Sequence, residues 1–303
     1  MVGFSQDLNP EELRPARYFG RDFVIWRSAA GELRVFDAHC PHLGAHLGHG
    51  GKVEGDSIRC PFHAWGFDGT GKCSDIPYAS RIPPKARVGA HPTLERNGTL
   101  MMWFDPAGGP AEEYVPHVQE FGGDDWTPWM HRTAVIKTHP REVVENVADV
   151  AHFPLVHGNE VLSFEAAFEG PTATQSTRTT GYDKKGRLTK QHTVATYYGP
   201  AIQFSHMDGE FPTVILNAHT PIDENELELR MGLLIKGIDY ESKTGRLLGD
   251  MWIDALQEGY FQDVAIWEHK RWQDEPMLCD GDGPISDLRK WYAQFYQPAS
   301  EAT

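Results

Sequence analysis

The sequence has no run of apolar residues near the ~20 that a membrane-spanning helix requires, which argues against a transmembrane helix. Its first residues, "MVGFSQDLNPEELRP", carry no basic stretch leading into an apolar one. No secretory leader is expected, and a cytoplasmic location follows. Basic side chains are scarce: 28 Lys and Arg stand against 43 Asp and Glu, for a net charge of −15. Nucleic-acid binding depends on a basic patch and is disfavoured. The acidic excess serves solubility first, with a docking face for a redox partner as the alternative. With no export signal expected, the four cysteines are not expected to form disulfides, and Cys73 and Cys279 read as free structural thiols. No strand–GxGxxG–helix unit occurs and nothing reads as a flavin domain, so no bound dinucleotide is expected. Internal repeats and low-complexity tracts are also missing.

What is present is a globular composition, 40% hydrophobic, in a chain of 303 residues, long enough for two domains. The first third reads as short strands broken by turns. "DFVIWRS" and "ELRVFDA" predict a hairpin, and "SIRC", "WGFDGTGKC" and "LMMWFDP" continue in that style. "PAGGPAEEYVP" has linker composition. Beyond it come a strand, "WMHRTAVIKTHP", a helical stretch, "REVVENVADVAHF", and strands at "TATQSTRTTGYD", "GRLTKQHTVATYY", "AIQFSHM", "FPTVILNAHTPI" and "ELELRMGLLIKGI". Residues 183–186 read as a hairpin turn, and a long helix is expected over roughly 244–271. The layout is α+β. The chain divides into an N-terminal arm (1–16), a first domain (17–107), a linker (108–125) and a second domain (126–303).

The stretch Cys40-x-His42 … Cys60-x-x-His63 places one Cys and one His at each end of a loop pair, with seventeen residues between the pairs. Zinc fingers usually pair their cysteines first and their histidines second. One thiolate and one imidazole from each loop suits a two-iron cluster in which one iron takes both thiolates and the other both imidazoles. Glycines 44, 48, 50 and 51, with Pro41 and Pro61, fit tight loops around a metal core. "CPHLGAHLG" and "CPFHAWGFDGTGKC" resemble the two binding loops of Rieske [2Fe–2S] proteins. The resemblance implies that Cys40 and Cys60 hold one iron and His42 and His63 the other. His39, His46 and His49 do not match its spacing and read as loop or surface residues.

A second constellation lies in the helical stretch, Asn146-x-x-Asp149-x-x-His152-x-x-x-x-His157. His152 and His157 are five residues apart, about 140° around an ideal helix, and cannot chelate one ion from a straight one. Pro154 between them should bend the chain there. Two imidazoles and one carboxylate form the usual facial set for iron that reacts with oxygen. On the long C-terminal helix Trp252, Leu256, Gly259, Ile266 and Trp267 mark a core-facing stripe, and Asp263 falls on it. A bare carboxylate is costly there unless it is hydrogen-bonded or binds a cation. Asp254 and Glu258, toward the polar side, are weaker candidates.

"ENVADVAHFPLVH" and "QDVAIWEHK" resemble the iron-binding segments of Rieske non-heme iron oxygenases. That family pairs an N-terminal all-β Rieske domain with a C-terminal antiparallel-sheet helix-grip (START-like) catalytic domain. The resemblance implies that His152, His157 and Asp263 bind a mononuclear Fe(II), with O2 as co-substrate. Asp149 matches the family's bridging acid between an iron histidine and a cluster histidine of the neighbouring subunit, and Asn146 a position close to the iron. It further implies a head-to-tail homotrimer and a separate NAD(P)H-dependent reductase, acting directly or through a ferredoxin. "GGKVEGDSIRCPFHAWGFDGTGKCSDIPYASRIPPKARV" and "DEPMLCDGDGPISDLRKWYAQFY" resemble the 3-ketosteroid 9α-hydroxylase and sterol 7-desaturase group. A hydrophobic polycyclic, steroid-like substrate and C–H hydroxylation are expected. The alternatives are an aromatic or alkaloid ring, demethylation or desaturation, and, distantly, an electron carrier fused to a lipid-binding module. Phe164, Phe168, Phe204, Met207, Phe211 and Trp267 are candidates for the pocket lining, with plain core as the commoner role for each.

Overall fold

A computed structural model describes residues 1–182, 186–209 and 211–296. The turn expected at 183–186 falls largely outside them. The chain forms two compact units, Met1–Glu113 with Pro221–Glu224, and the remainder from Tyr114.

The first unit contains β1 (Gly3–Phe4), β2 (Leu13–Tyr18), β3 (Arg21–Arg27), β4 (Leu33–Asp37), β5 (Lys52–Glu54), β6 (Ser57–Arg59), β7 (Gly66–Asp68), β8 (Cys73–Asp75), β9 (Ala90–His91), β10 (Thr93–Arg96) and β11 (Thr99–Met102). They make three antiparallel sheets, ordered β1-β11-β10, β2-β3-β4-β9 and β5-β6-β7-β8. "FVIW" in β3 is apolar at every position because both its faces are covered. Val24 and Trp26 pack with Phe36, Cys40, Cys60 and Phe67, while Phe23 and Ile25 pack with Val2, Leu8 and Leu100. Residues 1–16 are therefore no separate arm: β1 pairs with β11, β2 pairs with β3, and Val2 is fully buried. Polarity at the start of the chain hid a short edge strand.

The second unit is one antiparallel sheet of seven strands, ordered β12-β18-β17-β16-β15-β14-β13. They are β12 (Met130–Ile136), β13 (Glu160–Glu169), β14 (Thr172–Tyr182), β15 (Leu188–Tyr198), β16 (Ile202–Met207), β17 (Thr213–Pro221) and β18 (Leu227–Ile235). Edge strand β13 is not evident from "EVLSFEAAFE", whose Glu, Ala and Leu favour helix. Pairing with β14 along nearly its whole length overrides that propensity. Val115 and Val118 are buried, so the tract read as linker packs despite its composition.

Helices α1 (Pro140–Glu145), α2 (His152–Val156), α3 (Lys243–Trp267) and α4 (Ile285–Tyr292) complete the unit. Proline at the first position of α1 costs no hydrogen bond, and His139 Nδ1 accepts from the Arg141 N–H at 3.1 Å. Burial pushes His139 down to about 4, which keeps that ring nitrogen an acceptor. The expected single helical stretch is two helices, and the break lies at 146–151 rather than at Pro154. Pro154 sits in the first turn of α2, where an N–H has no partner to lose. The chain breaks earlier because Asp149 turns its carboxylate onto the His152 N–H (3.2 Å), competing with helix continuation. Helix α3 starts at Ser242, whose Oγ accepts from the Gly245 N–H at 2.9 Å. At Gly249 a Cβ would lie 2.3 Å from Met130 Sδ, so glycine lets α3 approach β12 closely. The buried stripe of α3 runs through Gly249, Ile253, Asp263, Val264 and Trp267, whereas Ile266 is half exposed.

Candidate metal centres

The two Cys–His loops have the same backbone. Cys40 N–H donates to Ala45 O and Gly44 N–H to Cys40 O; Cys60 N–H donates to Trp65 O and Ala64 N–H to Cys60 O, all within 2.9–3.1 Å. Gly44 (φ +76°) and Ala64 (φ +56°) take the left-handed turn at equivalent places. In an alanine that conformation costs about 1–2 kcal/mol, so the loop geometry is imposed by its surroundings. The His42 and His63 rings stand 4.7 Å apart, and His42 stacks on Trp65. His63 Nδ1 is buried without a hydrogen-bond partner among the described residues. A buried imidazole nitrogen left unpaired beside a second imidazole and two buried thiols fits a metal cluster. Burial pushes the Cys40 thiol up to about 11, with the adjacent Cys60 adding to it, so metal binding must displace a proton there. Cys73 is buried in the same core and Cys279 is exposed; all four cysteines are unpaired.

In the second unit His152, His157 and Asp263 offer ligand atoms that all lie within 4.8 Å of one another. Helix α2 carries His152 at its start and His157 just past its end, with the rings 5.2 Å apart and nearly perpendicular. Asp263 reaches them from α3 and is 5% exposed. His157 Nε2 lies 3.2 Å from Asp263 Oδ2, which also accepts from Asn146 Nδ2 at 3.3 Å. His152 Nδ1–H donates to the Asp149 main-chain carbonyl at 2.6 Å, which leaves Nε2 as its free ligand atom. The Asp149 carboxylate is 3.9 Å from His152 Nδ1. Burial would raise that carboxyl, but the hydrogen bond and charge of His152 outweigh it and the net shift is downward. The hydrogen bond to Asp263 raises His157 against the pull of burial. Two imidazoles and one carboxylate with converging atoms fit a divalent iron. Asp254 and Glu258 lie on the exposed side of α3, and Asp254 pairs with Arg132.

Sequence reading missed Gln262. Its Oε1 accepts from His157 Nδ1–H at 2.9 Å and fixes the tautomer that presents Nε2. Its place beside Asp263 was the only signal available. Replacing Gln262 with leucine is expected to weaken iron binding by ~10–100-fold, read by chelator competition, with the cluster spectrum unchanged. Wild-type iron retention would remove Gln262 from that role.

Between the sheet and α3 lies a cavity of about 470 Å3 that reaches His152, His157 and Asp263. Of the candidate lining residues Met207 and Trp267 reach it, whereas Phe164, Phe168, Phe204 and Phe211 do not. Strand alternation is the reason for Phe204: Gln203, Ser205 and Met207 face inward, so Phe204 faces out. Phe168 packs near Trp291 and Phe211 on Trp252.

A two-loop Cys–His centre on an all-β unit, and a His–His–Asp centre under a seven-stranded sheet, define a Rieske-type oxygenase, an oxidoreductase of α+β fold. Residues 1–87 match the Rieske [2Fe-2S] domain, and residues 102–296 match the 3-ketosteroid 9alpha-hydroxylase C-terminal domain. The chain belongs to that family of Rieske oxygenases. It is 38% identical over 322 residues to a "3-ketosteroid-9-alpha-monooxygenase, oxygenase component" of Rhodococcus rhodochrous, covering 100% of this chain and 81% of the relative. A protein of the same description from Mycolicibacterium smegmatis is 34% identical (94% and 78% covered). A cholesterol 7-desaturase of Ciona intestinalis is 30% identical (96% and 67%). Among solved structures, dicamba monooxygenase bound to dicamba superposes with TM-score 0.77 at 15% identity (97% and 95% covered). Pseudomonas putida CBB5 NdmA gives 0.78 at 18% (96% and 88%), and both likenesses concern the fold alone. A Rieske domain carries a [2Fe–2S] cluster, and oxygenases of this family use a mononuclear iron and O2. No helix among the described residues is long and apolar enough to cross a membrane.

Proposed function

We propose that this chain is the terminal oxygenase of a multicomponent monooxygenase that hydroxylates a C–H bond of a steroid. Electrons come from NAD(P)H through a separate reductase, directly or by way of a ferredoxin, in the cytoplasm. The observation that carries this reading is the convergence of His152, His157 and Asp263 at one end of the cavity. Cys40, Cys60, His42 and His63 hold the cluster. The bound metals supply O2 activation at the iron and single electrons from the cluster. The protein's part is positional. Asn146 holds Asp263 Oδ2, the Asp149 carbonyl sets the tautomer of His152, and Gln262 sets that of His157. The sheet excludes water from the substrate and orients it.

The oxygenase works as a head-to-tail homotrimer in which the cluster of one subunit serves the iron of the next. Exposed apolar side chains support this. Leu43 (65% exposed) and Phe62 (62%) adjoin the cluster histidines, and Leu155 (83%) lies between the iron histidines. The Asp149 side chain, 35% exposed and 3.9 Å from His152 Nδ1, is the group that accepts from a cluster histidine across that contact, while its main-chain carbonyl accepts from His152. Asp149→Ala is therefore expected to keep both metals but stop electron delivery. Unchanged single-turnover product yield would refute this. The overall reading is tested by iron analysis, three irons per chain against two for an electron carrier, and by steroid-dependent O2 uptake with a surrogate reductase and identification of the product. Desaturation at the same centre is the second reading, favoured by the likeness to a cholesterol 7-desaturase.

A further inference from the structure

The sheet side of the cavity sets polar, uncharged side chains among apolar ones such as Met207, Ile215 and Met231. Gln175 and Thr177 of β14, Gln191 of β15, Gln203 and Ser205 of β16, and Asn217 of β17 all face it. Among the described residues no lysine or arginine lines it, and its acid is Asp263. A bare hydrocarbon would pack on the apolar members but would desolvate the amides at a cost. A carboxylate would find no cation to pair with it there.

The amides are not interchangeable. Asn217 is 8% exposed, and its Nδ2 donates to Gln203 Oε1 at 3.1 Å. That bond fixes the orientation of the Asn217 amide. Its Oδ1 is left buried with no partner among the described residues. Gln175 Nε2, by contrast, donates to Thr177 Oγ1, and Gln191 Nε2 donates to the main-chain carbonyl of His192. An orphaned acceptor asks for a donor. A ketone offers none, whereas a hydroxyl does.

We propose that the steroid taken by this site carries a hydroxyl on its ring system, beyond any terminal keto groups, and that the Asn217–Gln203 amide pair reads that hydroxyl. The inference rests on the steroid reading above. Hydrogen bonding to a substrate hydroxyl is the strongest discriminator that a buried site can build, because the analogue without it leaves the protein group unpaired.

The test uses the full-length chain loaded with cluster and iron. Calorimetric binding of androst-4-ene-3,17-dione is compared with that of its 7-, 11- and 12-hydroxylated derivatives. The best hydroxylated derivative is expected to bind at least ~10-fold more tightly than the dione. Asn217→Leu, of similar volume, should bring that ratio close to one. Gln203→Met, which removes the anchor of the Asn217 amide, should lower it too, and it guards against a folding defect peculiar to the first variant. Equal binding of all the steroids to the wild type, or an unaltered preference in both variants, overturns the inference and leaves the steroid reading standing. Failure of every steroid to bind overturns both.

Discussion

Asp263→Ala is expected to release the mononuclear iron, lowering the count from three irons per chain to two, and to abolish turnover while leaving the absorption and EPR signal of the cluster intact. In the proposed triad Asp263 would supply the anionic ligand and the two histidines neutral nitrogens. Its loss should weaken iron by more than the ~10–100-fold that follows removal of a group acting only through a ligand. The carboxylate is almost fully buried and touches His157 Nε2 and Asn146 Nδ2. Alanine therefore opens a gap as well as removing charge. Asp263→Asn keeps the volume and separates the two effects, since an amide oxygen is a poor ligand for Fe(II) beside two imidazoles. Iron lost from both variants, with the cluster signal kept, assigns the carboxylate to the metal. Iron retained in the asparagine variant at the wild-type level would sink the triad.

The ease with which the two centres are read from sequence differs for a physical reason. The cluster loops are short and local, so their Cys–His spacing stands in the sequence almost as it stands in space. The His–His–Asp centre is assembled from α2 and from α3 more than a hundred residues later. Its histidines announce themselves by spacing, but Asp263 emerges only as a charge on an apolar stripe. Gln262 carried no such mark, because a glutamine on the flank of a helix is ordinary surface. The cavity wall is hard to read for a different reason. Apolar residues mark it only where apolar means inward. In β16 the alternation turns Gln203 and Ser205 in and Phe204 out, and only the register of the sheet decides this. Strand β13 shows the same limit, with its helix-favouring residues recruited into an edge by pairing with β14.

A larger effect on stability than on chemistry is expected at Glu145, one residue before Asn146. Its Oε1 accepts from Lys270 Nζ at 2.9 Å and its Oε2 from Arg289 Nε at 2.6 Å. Lys270 also pairs with Glu142 at 2.7 Å. The Arg289 guanidinium lies 3.9 Å from the centre of the Trp272 ring, which Arg141 also approaches, at 4.2 Å. Glu142 and Glu145 are both buried, so the network ties α1 to the segment after α3 and to α4. The side chains of Lys270 and Arg289 keep 33% and 19% of their surface in water, and Lys270 retains Glu142, so the loss on removing Glu145 falls below that of a fully buried pair, to about 2 kcal/mol. For Glu145→Ala that implies a fall in melting temperature of about 5 °C, measured by calorimetry. Burial would lower the pKa of Lys270, but its hydrogen bonds to Glu142 and Glu145 raise it overall. A raised lysine contributes stability that is complete below its unfolded pKa, ~10.4, and is lost as pH rises through the folded value. The difference between wild type and Glu145→Ala should thus be full at neutral pH and shrink as the pH rises into strong alkali. Glu145→Gln, which keeps acceptor geometry on one oxygen and removes the charge, should fall between them. Because Asn146 caps the end of α1, the alanine variant should also loosen the hold on Asp263 and weaken iron binding in the protein that remains folded. A melting temperature within a degree of wild type would mean that solvent screens these ions as it does surface pairs, and that α1 is held by the packing of Val143 and Val144 alone.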